Sequence, residues 1–181
     1  VKGYTQGGTL RGFPAVVYID GRIPGFRVGD LAEGGADLRF TDGAGSVALP
    51  YEVAEWLPDG GARVWVRIPE LTAAASIQVW WGNATCTASP SYVSDGSAWG
   101  PDHVGVWHMD GESGEVHDAS PARNHGQAVD VQRGLPGVVG RSIGFSGEKG
   151  RVGLTSILPI GGTANSLSLW AKVPKPGNGG L

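Results

Sequence analysis

Residues 62–69 read ARVWVRIP, and their alternation decides the fold. Val64, Val66 and Ile68 fall on one side of an extended chain, and Arg63, Trp65 and Arg67 on the other. Successive strand side chains point to opposite faces, so a period of two predicts a half-buried β-strand. The same signal recurs on both sides. Upstream, FPAVVYID (13–20) is β-branched and aromatic and ends at the turn signal Asp20-Gly21. ADLRFTD (36–42) sets Leu38 and Phe40 against Asp37, Arg39 and Thr41, and VALPYEVAEW (47–56) runs into the turn at Pro58-Asp59-Gly60-Gly61. Downstream, SIQVWWGN (76–83) places Ile77, Val79 and Trp81 inward. Residues 69–75, PELTAAA, form the one plausible helical piece, too short to stand alone. Turns at this spacing predict an antiparallel β-sandwich over residues 1–100.

Composition agrees. The 181 residues include 32 glycines and 12 prolines, just under the ~25–30% share at which an aperiodic chain reads as disordered. A hydrophobic fraction of 40% with seven tryptophans supplies surface worth burying. A net charge of −3 without a basic cluster excludes a nucleic-acid partner. No apolar run is long enough for a transmembrane helix. The single cysteine, Cys86, has no disulfide partner and reads as an inert residue near a loop.

The stretch 85–101, TCTASPSYVSDGSAWGP, has the composition of a linker or long loop. A second β-rich region, 101–181, follows it, with strands expected at VGVWHM (104–109), HGQAVDV (125–131), RSIGF (141–145) and SLSLWAKV (166–173). The terminal PKPGNGGL (174–181) reads as loop. The expected architecture is therefore all-β throughout.

GGADLRFTD (34–42), LPYEVAEW (49–56), VWVRIPEL (64–71) and VWWGN (79–83) occur in an order that resembles the bacterial domain of unknown function 2341, over roughly residues 1–100. Trp80-Trp81 stands where that family more often shows tyrosines. VGVWHMDG (104–111), VHDASPARNHG (116–126), GRSIGFSGEKGRV (140–152) and LSLWAKV (167–173) resemble the start of a concanavalin A-like, laminin-G-like jelly roll. Such domains are about twice as long as the 78 residues from Val104 onward, so an incomplete jelly roll is expected over 101–181. Where that family often carries acidic residues after the phenylalanine, this chain reads Phe145-Ser146-Gly147-Glu148-Lys149-Gly150, which weakens any calcium site built from them.

All four histidines, His103, His108, His117 and His125, lie close to Asp110, Glu112, Glu115 and Asp118. These are the ligand types of zinc and related ions. No pair has the His-x-x-x-His helical spacing, so structural roles are favoured. A structural calcium held by Asp118 and nearby oxygens such as Asn124 is the metal reading kept open. A glycosidase needs two facing carboxylates. Glu112 and Glu115, like Glu52 and Glu55, are three apart, which on a regular strand sends them to opposite faces. No Glu-x-Asp-x-Glu string, nucleophile elbow or phosphate loop occurs. Asp37, Arg39 and Asp42 are expected to form a surface ion network.

What remains is binding. Trp56, Trp65, Trp80, Trp99 and Trp170 lie opposite the inward positions or in loops, where aromatic faces can stack on sugar rings. The expectation is a non-catalytic binding or display module with a glycan or protein ligand. The resemblances imply a larger bacterial protein that is secreted, periplasmic or at the cell surface. They also imply two alternatives, an ectodomain of a TolQ/ExbB-type proton-channel protein and an accessory part of a carbohydrate-active enzyme.

Overall fold

A computed structural model describes residues 4–5, 7–145, 148–154 and 165–173. The protein is all-β, and among the described residues its helical content is limited to single 3-10 turns at Val28–Asp30, Glu33–Gly35 and Ser91–Val93. Among the described residues nine strands form in chain order. They are β1 (Leu10–Ile19), β2 (Arg39–Asp42), β3 (Tyr51–Trp56), β4 (Ala62–Leu71), β5 (Ile77–Trp80), β6 (Gly126–Val129), β7 (Val131–Pro136), β8 (Arg141–Phe145) and β9 (Arg151–Leu154).

Strand β4 is central to a three-stranded antiparallel sheet of order β1-β4-β3, while β2 and β5 form a separate antiparallel pair. The alternation of residues 62–69 is realised as read. Val64 and Val66 are fully buried and Ile68 nearly so, whereas Arg63, Trp65 and Arg67 take the outer face. Between the sheet and the β2–β5 pair lies a core that includes Ile19, Leu38, Phe40, Leu49 and Tyr51. Tyr51 is buried there because its hydroxyl donates to the Leu38 carbonyl at 2.5 Å, and burial pushes its phenol up to about 12. Ile77, Val79 and Trp81 pack against this core, as the β5 pattern predicts.

The expected helical piece at 69–75 does not form. Strand β1 begins early enough for Leu10 and Arg11 to pair with Leu71 and Glu70, so the ladder carries β4 to Leu71. One potential helical turn has too little cooperativity to compete with it. Beyond residue 100 the strands make two antiparallel pairs, β6–β9 and β7–β8. The expected strand 125–131 is divided because Asp130 adopts a φ of 51°, after which the chain enters the other pair. Residues 104–109 form no strand; Trp107 makes one isolated bridge to Asp118, and Met109 turns away with a φ of 61°. Residues 166–173 are also not a strand. Leu167 and Trp170 are 84% and 83% exposed, so an alternating pattern here meets no partner strand or core among the described residues. The segment 174–181 lies outside the described residues. Among the described residues no helix is long and apolar enough to cross a membrane.

Candidate functional site: the outer face of the three-stranded sheet

Strand β3 carries an irregularity that sets the chemistry of this face. Val53 pairs with Val64 and Glu55 with Arg63, which leaves Ala54 as the extra residue of a bulge. Glu52, opposite Trp65, and Glu55, opposite Arg63, therefore share the outer face. The opposite-face placement expected from their spacing is overturned, because a bulge shifts the period by one. Both carboxylates are engaged. Glu55 pairs with Arg63 and accepts from the Gly140 amide. Glu52 accepts from Trp99 Nε1 at 2.7 Å and lies 2.8 Å from His108 Nε2.

The segment read as a linker thus lies on the sheet. Asp95 Oδ1 accepts from the Ser97 amide, and the turn it closes delivers Trp99 onto Trp65, with ring centroids 4.9 Å apart. Trp99 is only 6% exposed and also meets the rings of His103 and His108. Ala98, Trp99 and Ala119 form a small second core with Trp65 and Val106 against it. Burial opposes protonation of His108, but the hydrogen bond and charge of Glu52 outweigh it and raise the histidine's pKa.

Where this segment meets the edge of β1, an open cavity of about 400 Å³ remains. Phe13, Pro14 and Arg67 line it from the sheet, and Trp99, Asp102 and His103 from the segment. Phe13 is 40% exposed, and Arg67 is half-buried. A concave apolar wall with a few convergent polar groups is the common form of a small-ligand site. Among the described residues no serine, cysteine or threonine lines it.

Of the five tryptophans proposed from sequence, the structure brings Trp65 and Trp99 together. Trp56 lies at the end of β3 at 39% exposure. Trp80, 51% exposed on β5, donates to Thr41 Oγ1, and Trp170 is in the exposed segment 165–173. Among the described residues these three make no ring contact with Trp99 or each other. The residues that sequence reading passed over are Phe13 and Arg67, while His103 was weighed only as a metal ligand. Arg67 was legible as an outward neighbour of Trp65 two positions on; that β1 and residues 99–103 would converge on it was not.

Asp118 is fully buried. Its Oδ1 accepts from the amides of Val106 and Ser120, and its Oδ2 from the Ser120 hydroxyl and the Asn124 amide. A carboxylate has about four lone-pair sites, so this one is filled by its own chain. Both Asp118 oxygens that the sequence offers to calcium accept from these donors. The Asn124 side-chain amide donates to the Val104 carbonyl. Burial raises the Asp118 pKa, but these hydrogen bonds outweigh it and hold the carboxyl below its usual range.

Glu115, His117 and His125 offer ligand atoms within 4.8 Å of one another. Their sum of positions explains it. Val116 bridges Gly126, so His117 falls opposite His125 and their rings stack at 4.7 Å. His117 Nε2 lies 3.3 Å from Arg123 Nη1, and His125 Nδ1 accepts from the Asp118 amide. A neutral imidazole has one lone pair, so each ring spends it on a protein donor, and a metal would have to displace both.

The expected ion network of Asp37, Arg39 and Asp42 does not form. Asp37 is buried and accepts from the amides of Ala32, Gly82 and Asn83, while Arg39 donates to the carbonyls of Ala36 and Leu38. Asp42 caps its own turn through Ser46 and Val47. Cys86 is free and its thiol lies near the Ala36 carbonyl and Arg39.

No curated protein and no solved structure matches the chain. In agreement with the resemblance carried by the motifs from GGADLRFTD to VWWGN, residues 34–118, which include β2 to β5, Trp99 and Asp118, match the family described as Domain of unknown function (DUF2341).

Proposed function

We propose that this chain is a non-catalytic binding module with a glycan ligand, working as part of a larger bacterial protein outside the cytoplasm. One observation carries the reading: the cavity on the outer face is walled by Phe13 and Trp99 and holds the Arg67 guanidinium, while Glu52 and Glu55 are tied to Trp99, His108 and Arg63. Aromatic walls with polar groups suit sugar rings, which present C–H faces and hydroxyl rims. Carboxylates bound to their own chain are not poised across a substrate. Residues beyond 101 are proposed to begin a concanavalin A-like jelly roll, which would place a second β module beside the first.

The test is retention of the full 181-residue chain on a panel of insoluble polysaccharides. Retention is expected, and Phe13→Ala should weaken it by about tenfold, the scale of one well-packed contact. Trp80→Ala, on the other sheet, should leave it unchanged. If no polysaccharide holds the chain, the glycan reading fails and a protein ligand takes its place.

A further inference from the structure

We propose that the cavity between β1, β4 and residues 99–103 takes the carboxylate of an acidic sugar, a uronic-acid unit, with Arg67 as the residue that holds it. This deepens the glycan reading and rests on it.

The starting point is an imbalance among arginines. Arg11 pairs with Glu70, and Arg63 pairs with Glu55 while lying 5.7 Å from the Tyr18 ring centroid. Arg67 lines the same cavity as Arg11, yet among the described residues its guanidinium has no carboxylate, carbonyl or aromatic partner. A guanidinium carries five donors in a fixed fork, and those of Arg67 are open to the solvent of the cavity.

The backbone is nevertheless shaped around that group. Gly12 and Gly100 approach it from β1 and from the end of the Trp99 turn, with φ values of 58° and 77°. A Cβ at Gly12 would lie 3.2 Å from Arg67 Nη2, and one at Gly100 would lie 2.6 Å from Cζ. Both positions need glycine for the left-handed conformation, and a Cβ at either would push the guanidinium aside. The fork thus lies in a space bounded by Gly12 and Gly100, open to a ligand's acceptors.

A second observation lies on the facing wall. His103 Nδ1 is buried without a hydrogen-bond partner among the described residues. No bond therefore fixes the ring, and turning it to present an N–H to the cavity breaks none. Arg67 and His103 together can answer a carboxylate, which accepts a bidentate pair from the fork and one further bond. The rest of the cavity suits the remainder of a sugar. Phe13 offers an exposed apolar face, and about 400 Å³ is within the size range of small-ligand pockets. Asp102, exposed on the rim, is the group that opposes an anion here.

The experiment titrates the full chain with polygalacturonate, alginate and hyaluronan, with fully methyl-esterified polygalacturonate, and with neutral polysaccharides. At least one acidic polymer should bind, and where that polymer is polygalacturonate its ester should bind at least about tenfold more weakly, the loss expected for a charge-assisted pair. Arg67→Gln should lose about tenfold with its melting temperature unchanged, Arg67→Lys should keep part of the affinity, and Asp102→Asn should tighten binding about threefold. The Asp102 variant changes an exposed side chain, so it remains informative if the Arg67 variants fold poorly. Binding that is indifferent to Arg67, to Asp102 or to esterification overturns the proposal. Retention of neutral polysaccharides alone overturns it while leaving the glycan reading in place, and retention of none overturns both. Binding of an acidic peptide or inorganic phosphate through Arg67, with no acidic polysaccharide bound, also overturns it.

Discussion

A carboxylate without exposed surface keeps its charge only where donors replace the water it has lost. Asp118 meets that condition with four donors drawn from Val106, Ser120 and Asn124, so one side chain gathers three stretches of backbone. Its depressed pKa fixes the sign of its pH dependence. The stabilisation is present above the unfolded-state value of about 4 and is lost as pH falls through the lower folded value. Asp118→Asn turns one acceptor oxygen into a donor facing other donors. It should cost about 2–4 kcal/mol at pH 7, and the gap to the native chain should narrow by pH 2.5. Urea unfolding at the two pH values checks this; a gap that stays constant would show that charge is not the source. The sequence showed Asp118 as a polar residue within a motif. That it is buried could not be read, because its donors lie up to 12 residues away and meet it only after the chain turns back.

At the scale of elements, strand β4 was legible almost residue by residue, since burial on one face writes itself into a period of two. Strand β3 was not, because a bulge leaves no mark in composition and reverses the faces of everything beyond it. The pairing yields a counterintuitive expectation. Deleting Ala54 removes the extra residue while Val53, Glu55 and Trp56 keep their partners Val64, Arg63 and Ala62. The variant should fold cooperatively and change stability by only about 1–2 kcal/mol. Circular dichroism with thermal melting is the measurement, and an unfolded product would place the extra residue elsewhere. The exposed segment 166–173 shows the converse, since alternation specifies a strand only where an edge and a core receive it.

At the scale of the whole molecule, Glu52 joins β3 to two residues far along the chain, Trp99 and His108. Because His108 has a raised pKa, its contribution is complete below the ordinary histidine value of about 6.5 and fades as pH rises through the folded value. Glu52→Gln should therefore destabilise the chain more at pH 6 than at pH 9. Thermal melts at both pH values, with the His108 titration followed by NMR, test it; an equal loss at both would assign the contact to Trp99 alone.

The sequence by itself determined that this protein is all-β, which faces of β4 and β5 turn inward, and that residues 34–83 carry the motifs of a known domain. These are consequences of local alternation and turn chemistry, which neighbouring residues encode. Only the tertiary structure decided that Trp99 is buried on Trp65, that Asp118 is filled by donors, and that Arg67 has no partner among the described residues. Such facts depend on which distant segments meet and in what register, and a shift of one residue, as in β3, exchanges one face for the other.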